Sequence, residues 1–259
     1  MNRKVHFAEF AWRSELGLHR EGNEDSGLVT SNLIAVADGM GGYAGGEIAS
    51  RIVIETLDKK VPILISPELD RDSRDDLFRN SLIDMDEALR EAIKKSPELE
   101  GMGTTLTSLA LFEDQISLLH IGDSRSYRIR SGKIAQLSHD HTVVQELIDQ
   151  GRLLPDEVAE HPQRSFLTQA LMGKGNVEPV LQSFPVEIGD IYLLCSDGLS
   201  GVVDDGKILS AFNGDLQSAV NTLIDLTYKN GAPDNVTVIA VRIGTEPRAQ
   251  STTLLGAAL

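Results

Sequence analysis

The stretch IAVADG at residues 34–39 is apolar on both faces of a predicted strand and ends in an Asp-Gly pair. Three further stretches place an aspartate at the end of an apolar run: LHIGDS at 119–124, LLCSDG at 193–198 and DNVTVIAV at 234–241. A carboxylate without a counter-charge at the rim of a buried strand is costly to desolvate. One Asp-Gly pair is typical of a hairpin turn, but four rim aspartates together indicate a shared divalent cation.

The composition argues against several classes of function. The 259 residues carry 24 Lys and Arg against 39 Asp and Glu, which leaves a net charge of −15. This charge repels nucleic-acid backbones and anionic membrane surfaces, so we expect neither as a partner. An anionic phosphate substrate would need bound cations to be held against the same charge.

The single cysteine, Cys195, cannot form an internal disulfide and follows the apolar run IYLL at 191–194. This position predicts a buried side chain rather than a catalytic thiol, which would need an exposed, electropositive setting. No segment has the length and apolar character of a membrane span or a secretory leader. We therefore expect a cytoplasmic protein.

The hydrophobic pattern predicts layered sheets covered by helices, in one domain. Strands are expected at 5–14, 25–31, 33–37, 105–112, 116–121, 126–130, 134–137, 180–185, 190–195 and 236–243. The four strands between 105 and 137 are expected to form an antiparallel meander. Helices are expected at 47–59, at 206–212, at 215–228 with Asp215 as N-cap, and along the stripe of Leu82, Met85, Leu89 and Ile93. Pro62 and Pro97 are expected to end the first and second helices.

The segment from His139 to Asn176 has a different character. Helical patterns at 143–150 and 165–171 are interrupted by prolines, which predicts an inserted, mobile flap. Residues 244–259 show no periodicity and are expected to form a loosely ordered tail. The expected organisation is one catalytic domain at 1–243, a flap at 139–176, and this tail.

The four aspartates have no accompanying cluster of histidines or cysteines, which favours Mg²⁺ or Mn²⁺ over Zn²⁺. The nearest candidates, His139 and His141, flank Asp140, and we interpret them as part of a solvated loop rather than as ligands. Two hard ions about 4 Å apart, bridged by one carboxylate, would ionise a shared water and hold a phosphoryl oxygen in line with it. The predicted chemistry is hydrolysis of a phosphate ester.

Six motifs occur in an order and spacing that resemble the metal-dependent protein phosphatase family of the protein phosphatase 2C type, and its compact bacterial members most. The motifs are REGNED at 20–25, DGMGG at 38–42, GTT at 103–105, GDSR at 122–125, SDG at 196–198 and DN at 234–235. The resemblance extends from about residue 8 to residue 243. It implies an α+β fold, in which a four-layer α-β-β-α sandwich has two antiparallel sheets flanked by helix pairs.

The resemblance also implies roles for individual residues. Asp38 resembles the carboxylate that bridges two ions, the Gly39 carbonyl a ligand of one ion, and Asp197 and Asp234 ligands of the other. Asp123, together with Asp197, resembles the pair that holds a third, weaker ion. Glu24 and Asp25 would reach the metals through water. Arg20 would bind the substrate phosphate, and the amide of Asn235 would orient Asp234.

Other interpretations stay open at this point. Arg20 could form a surface salt bridge with Glu21 or Glu24, and Asp25 could cap a turn. Eukaryotic members of the family carry a histidine just after the Asp-Gly pair that is thought to protonate the leaving oxygen; here that position is Met40, whose thioether cannot act as a general acid.

The resemblance implies a protein Ser/Thr phosphatase that uses two Mn²⁺ or Mg²⁺ ions and a metal-bridging hydroxide, without a covalent intermediate. The implied partners are phosphorylated Ser/Thr proteins and the kinases that oppose the enzyme, and we expect a monomer. Two alternatives remain: a hydrolase of small phosphate esters or of one dedicated regulatory phosphoprotein, and an inert relative that binds phosphoproteins. The flap would carry the choice of substrate.

Overall fold

The computed structural model describes residues 4–42, 45–66, 68–177 and 180–259. Its strands are β1 (His6–Glu15), β2 (Asp25–Val29), β3 (Leu33–Met40), β4 (Gly103–Thr104), β5 (Leu106–Phe112), β6 (Gln115–Ile121), β7 (Arg125–Arg130), β8 (Lys133–Gln136), β9 (Val180–Pro185), β10 (Ile191–Cys195), β11 (Val236–Gly244) and β12 (Thr253–Gly256). Its α-helices are α1 (Gly45–Leu64), α2 (Arg71–Lys95), α3 (Val143–Asp149), α4 (Asp197–Ser200), α5 (Asp205–Ala211) and α6 (Leu216–Lys229). Residues 1–3 of the predicted domain lie outside the described residues.

The strands form two antiparallel sheets. The first has the order β1-β11-β10-β7-β8, and the second has the order β12-β2-β3-β5-β6-β9, with β4 paired to β3. Buried apolar side chains from both sheets, among them Ile34, Leu109, Tyr192 and Ile239, form one cluster between them. The two sheets therefore pack face to face.

Helices cover the outer faces of both sheets. On the second sheet, Val53 of α1 and Leu82 of α2 share a buried cluster with Leu106 of β5. On the first sheet, Leu223 of α6 packs in a cluster with Val238 of β11. Asp215 caps α6 as predicted, because its side chain accepts from the Ser218 backbone N–H. The predicted four-layer α-β-β-α sandwich is confirmed.

The predicted meander between residues 105 and 137 is wrong at its centre. Strands β5 and β6 pair in the second sheet, whereas β7 and β8 pair in the first. The chain crosses from one sheet to the other between Ile121 and Arg125. Short connections alone did not reveal this crossing, and it places Asp123 at the junction of the two sheets.

Pro62 does not end the first helix, because α1 continues to Leu64. Proline removes one backbone hydrogen bond from a helix interior. Here Val61 and Leu64 are both buried against the core, and the Arg74 Nε donates to the Leu64 carbonyl at 3.0 Å. Tertiary packing and this capping bond offset the missing donor, so the helix extends one turn further than predicted.

The flap contains one of the two predicted helices. Helix α3 covers 143–149, but residues 165–171 are not helical. Instead, Leu167 forms an isolated bridge with Thr142, and Leu171 forms one with Thr104. The backbone near both ends of the segment is therefore hydrogen-bonded to neighbouring chain.

The tail prediction is also wrong for residues 253–256. Strand β12 pairs with β2 in register from Thr253–Val29 to Gly256–Ser26. Leu255 is only 7% exposed and joins the cluster between the sheets. Four residues are too short to show a clear period in sequence, and an available sheet edge organises them.

Substitution of Leu255 measures the packing of this last strand. Leu255→Ala should lower the free energy of unfolding by about 2–4 kcal/mol, since it deletes a buried side chain. Leu259→Ala is the matched control, because Leu259 is 93% exposed. Urea unfolding of both variants is the measurement, and equal, near-zero changes would contradict the position of β12.

Candidate active site

Five aspartates converge at one end of the sandwich because strand ends and connections deliver them there. Asp25 begins β2 and is the register partner of Asp38 near the end of β3. Asp123 lies in the crossing between the sheets, and Asp197 begins α4 directly after β10. Asp234 is separated from the start of β11 by Asn235 alone. The structure thus brings the predicted aspartates of both sheets to the same edge.

The backbone at Asp38 is held by two threonines. Its N–H donates to the Thr105 hydroxyl at 2.9 Å, and its carbonyl accepts from the Thr104 hydroxyl at 2.8 Å and from the Thr105 N–H at 2.9 Å. The Thr105 hydroxyl also contacts the Ser124 hydroxyl at 2.7 Å, next to Asp123. These neutral groups fix the direction of the Asp38 side chain without neutralising its charge.

The half-buried carboxyl groups of Asp38 and Asp197 interact across the two sheets, and the charge of Asp197 is among those that raise the pKa of Asp38. Burial raises the pKa of Asp38 well above its usual range, and the charges of Asp25, Asp197, Asp123 and Asp234 raise it further. Burial, followed by the charge of Asp234, also raises the pKa of Asp197. Two carboxyl groups that repel each other as Asp38 and Asp197 do cannot both ionise without a cation between them.

Asp25 is also buried in this cluster. Its Oδ2 accepts from the Ser196 hydroxyl at 2.7 Å, whereas its Oδ1 is buried without a hydrogen-bond partner. Burial, and then the charges of Asp197 and Asp234, raise the pKa of Asp25 to about 7 against its bonds to hydroxyls. Asp25 lies within β2, so it does not serve only as a turn cap.

Asp123 has a similar setting at the crossing. Burial, the charge of Asp197 and the charge of Asp140 raise its pKa to about 7, although Arg125 acts in the opposite direction. Arg125 forms a bidentate pair with Asp140, whose Oδ2 accepts from its Nε at 2.9 Å and its Nη2 at 2.7 Å. The guanidinium of Arg125, which lies close to Asp123, is therefore already paired with Asp140.

Arg20 lies at the rim of the cluster with 43% of its side chain exposed. Its Nη2 donates to Asp234 Oδ2 at 2.6 Å, and its Nη1 lies 3.7 Å from Glu24 Oε2. The alternative of a pair with Glu24 is thus partly realised, but the shorter contact is to Asp234. An exposed planar fork held by carboxylates beside the aspartates is suited to bind a phosphate.

Asn235 orients the loops around Asp234. Its side-chain oxygen accepts from the Glu24 N–H at 2.8 Å, and its amide group donates to the carbonyls of Leu16 and Gly22 at 2.8 and 3.0 Å. Its own N–H donates to Asp234 Oδ1 at 2.8 Å. Both side-chain polar atoms of Asn235 therefore bond to backbone groups of the protein.

Glycine is required directly after Asp197. An added Cβ at Gly198 would lie 1.8 Å from the Asn235 carbonyl oxygen, so the start of α4 packs directly against the backbone before β11. The Gly39 N–H donates to the Glu24 carbonyl at 3.1 Å, and Gly39 pairs with Thr104 of β4. Both Asp-Gly pairs therefore serve close backbone contact rather than a hairpin turn.

Hydroxyl groups that the sequence did not predict as functional support the aspartates. Thr104, Thr105, Ser124 and Ser196 all lie within the quoted motifs, and that shared membership was the available signal. The loop with His139 and His141 is solvated at His139, whose side chain is 59% exposed, but His141 is half-buried. The His141 ring stacks on His120 at 5.0 Å, and its Nδ1 accepts from the Gly122 N–H at 3.1 Å.

Hard divalent cations fit this set of donors. The side chains are carboxylates, one buried carboxylate oxygen of Asp25 lacks a partner, and the mutual repulsion calls for positive charge. Among the described residues, no three His, Cys, Asp or Glu side chains form a group that could hold one ion by themselves. Mg²⁺ and Mn²⁺ keep several waters and need only one or two carboxylates each, whereas a closed zinc site needs four ligands.

Comparison with known proteins identifies the family. The model of the family described as protein phosphatase 2C matches residues 23–229. The chain belongs to this family, as its motifs predicted. No described helix is long and apolar enough to cross a membrane.

Two curated relatives illustrate the similarity. The serine/threonine protein phosphatase PstP of Mycobacterium tuberculosis is 41% identical over 258 residues, which cover 96% of this chain but 48% of PstP. This chain thus spans about half the length of that relative. The serine/threonine phosphatase stp of Listeria monocytogenes is 30% identical over 244 residues, covering 90% of this chain and 94% of stp.

Solved structures agree with these relatives. The catalytic domain of PstP in complex with two manganese ions has a TM-score of 0.83 and 38% sequence identity, over 93% of this chain and 98% of that one. The Stp1 phosphatase of Staphylococcus aureus has a TM-score of 0.84 and 31% identity, over 91% and 95%.

Removing the Asp25 charge should stabilise the metal-free protein at neutral pH. Burial and neighbouring charges raise the pKa of Asp25 in the folded protein to about 7. The protonated form of Asp25 therefore contributes its full stability only at pH values below the pKa of Asp25 in the unfolded chain. That stability is lost as the pH rises through 7. Asp25→Asn stays neutral, so its advantage over wild type should grow with pH and exceed about 1.4 kcal/mol, the value of one pKa unit, above pH 7.

Urea unfolding in EDTA at about pH 5 and about pH 8 measures this trend. Asp204→Asn is the control, because Asp204 is an exposed N-cap whose pKa is lowered by its bonds to Lys207. That variant should not gain stability as the pH rises. A constant difference between Asp25→Asn and wild type would contradict the charge repulsion described above.

Proposed function

We propose that this chain is a metal-dependent protein serine/threonine phosphatase that hydrolyses phosphoserine and phosphothreonine. The observation that carries the proposal is the convergence of five aspartates at one end of the sandwich, where burial and neighbouring carboxylates raise the pKa values of Asp38 and Asp197. Such a cluster is stable as ionised carboxylates only with bound cations. Family membership and the relatives named as serine/threonine phosphatases support a phosphoprotein substrate.

We assign two Mn²⁺ or Mg²⁺ ions to this cluster. Asp38 would bridge them, with the Gly39 carbonyl on one ion and Asp197 and Asp234 on the other. Asp123 and Asp197 would hold a third, weaker ion. The two manganese ions in the PstP catalytic domain support this number for the central pair.

The remaining acidic groups act around the metals. The unpartnered Oδ1 of Asp25 and the carboxylate of Glu24 would accept hydrogen bonds from metal-bound water. The Asn235 backbone N–H donates to the Asp234 side chain, and the Asn235 side-chain oxygen accepts from the Glu24 N–H. Such outer contacts orient the ligands of a metal and adjust its affinity.

Bound Mn²⁺ or Mg²⁺ would supply a water of lowered pKa and positive charge for the phosphoryl oxygens. The protein orients the reactants around that chemistry. Arg20 presents an exposed guanidinium beside Asp234 and would bind two phosphate oxygens. Met40 has no transferable proton, so the leaving oxygen must take its proton from another group.

Cys195 is buried, and burial raises the pKa of its thiol to about 12, which argues against a cysteine nucleophile.

We further propose the setting in which the enzyme works. Its substrates would be proteins phosphorylated by Ser/Thr kinases, and it would act as a monomer in the cytoplasm, where a lone reduced cysteine is expected. One catalytic domain would include β12 as well as the residues up to 243. The net charge of −15 favours selective binding through the local site over general binding to anionic surfaces.

Alanine substitution of Asp38 and of Asp197 tests the proposed metal site. Asp38→Ala and Asp197→Ala should each lower kcat/KM toward a phosphothreonine peptide on the order of 100-fold or more, because each removes a proposed metal ligand. Wild-type turnover should need Mn²⁺ and stop in EDTA. Release of inorganic phosphate is the measurement, and Asp204→Ala, at an exposed helix cap, is the control.

Three results would contradict the proposal. Wild-type turnover of p-nitrophenyl phosphate but not of phosphopeptides would favour a small-ester hydrolase. Turnover of one regulatory phosphoprotein alone would favour a dedicated enzyme. A folded wild type without turnover under any metal would favour an inert, phosphoprotein-binding relative.

Arg20 variants test phosphate binding separately. Arg20→Ala should raise the KM for the phosphopeptide about 10-fold, and Arg20→Lys should lie between alanine and wild type, since lysine keeps the charge but loses the fork. Steady-state kinetics at saturating Mn²⁺ give both values. Arg13→Ala is a matched control, because Arg13 pairs with Glu15 on β1. An unchanged KM in Arg20→Ala would show that Arg20 only forms its ion pair.

A further inference from the structure

Asp86 of helix α2 is a buried carboxylate that holds the end of the flap. Its side chain is 3% exposed. Its Oδ1 accepts from the backbone N–H groups of Met172 and Gly173 at 3.2 and 2.7 Å, and its Oδ2 accepts from the Gly175 N–H at 2.7 Å. Three bonds from the amides of one short loop to a single buried carboxylate are strong, because a carboxylate acceptor shielded from water forms stronger hydrogen bonds than a neutral one.

The loop is shaped to make these bonds. Gly173 has a φ of +71°, a conformation that side chains rarely adopt, and an added Cβ there would lie 2.7 Å from the Arg90 backbone nitrogen. The loop backbone therefore packs directly against α2. Only glycine permits this approach, and the approach turns the amides toward Asp86.

The anchored loop continues directly into a contact with the candidate active site. Leu171, one residue before Met172, is fully buried and exchanges two backbone hydrogen bonds with Thr104, both at 2.9 Å. The Thr104 hydroxyl in turn donates to the Asp38 carbonyl at 2.8 Å. A continuous series of short contacts thus joins Asp86 to the backbone of the residue that we assign as the bridging ligand.

We propose that Asp86 is a positioning residue: by fixing residues 172–175 on α2, it holds Leu171 against Thr104 and thereby sets the position of Asp38 in the metal centre. This inference rests on the proposed function, because it assigns a role in that reaction. Asp86 does not belong to any of the quoted motifs and lies in the helical layer, outside the cluster of aspartates. It acts through backbone contacts and does not touch the substrate.

Variants at Asp86 test the proposal against matched controls. Asp86→Ala removes all three acceptor contacts, whereas Asp86→Asn keeps the volume and one acceptor oxygen. Asp84→Asn is the control, since Asp84 lies on the same helix, is 49% exposed and pairs with Lys60. The measurements are kcat and KM for a phosphothreonine peptide and for p-nitrophenyl phosphate at saturating Mn²⁺, together with thermal unfolding and amide hydrogen exchange.

In Asp86→Ala, kcat should fall about 10- to 100-fold for both substrates with KM nearly unchanged, because a small displacement of a reacting group has that effect. Asp86→Asn should recover part of the loss, and Asp84→Asn should stay within about twofold of wild type. The amides of Gly173 and Gly175 should lose protection from exchange in the alanine variant.

Other results would overturn the proposal. A lowered unfolding temperature with kcat unchanged in the folded variant would make Asp86 purely structural. A higher KM for the peptide alone, with p-nitrophenyl phosphate turnover unchanged, would assign the loop to substrate docking instead. A wild type without turnover on either substrate would overturn the proposed function and this role with it, whereas exchange at Gly173 and Gly175 would still report whether the anchor exists.

Discussion

Mutual repulsion among buried carboxylates is the constraint around which this end of the sandwich is organised. Five aspartates converge from both sheets, and the charges of four of them raise the pKa of Asp38. Folding such a cluster is unfavourable unless the carboxylates are protonated or share bound cations. The guanidinium of Arg125 is engaged by Asp140, and that of Arg20 lies at the rim. Bound divalent ions would relieve this repulsion at neutral pH, and the proposed phosphatase would use the same ions to act on phosphate.

Neutral groups of the surrounding structure fix the positions of Asp38 and Asp25. Hydroxyl groups of Thr104, Thr105 and Ser196 bond to the backbone of Asp38 or the side chain of Asp25. The support reaches the helical layer through the flap loop at 171–175, which Asp86 binds on α2. Positions far from the aspartate cluster are thus connected to it, because each step is a short hydrogen bond.

The sequence was informative where chemistry depends on local motifs. Periodicity predicted the long helices and central strands, and the six motifs predicted which aspartates meet. The sequence did not predict the features that depend on long-range packing. These are the crossing between the sheets after Ile121, the pairing of Thr253–Gly256 with β2, and the extension of α1 past Pro62. Asp86 illustrates the same limit in the site, since its partners lie in a loop more than 80 residues away.

Anomalous diffraction from a crystal grown with Mn²⁺ would test the proposed metal centre, because it locates the ions without assuming any activity. We expect two strong manganese peaks about 4 Å apart, with Asp38 between them and Asp197 and Asp234 beside one of them. Ordered manganese remote from Asp38, or no ordered manganese at saturating concentration, would contradict it.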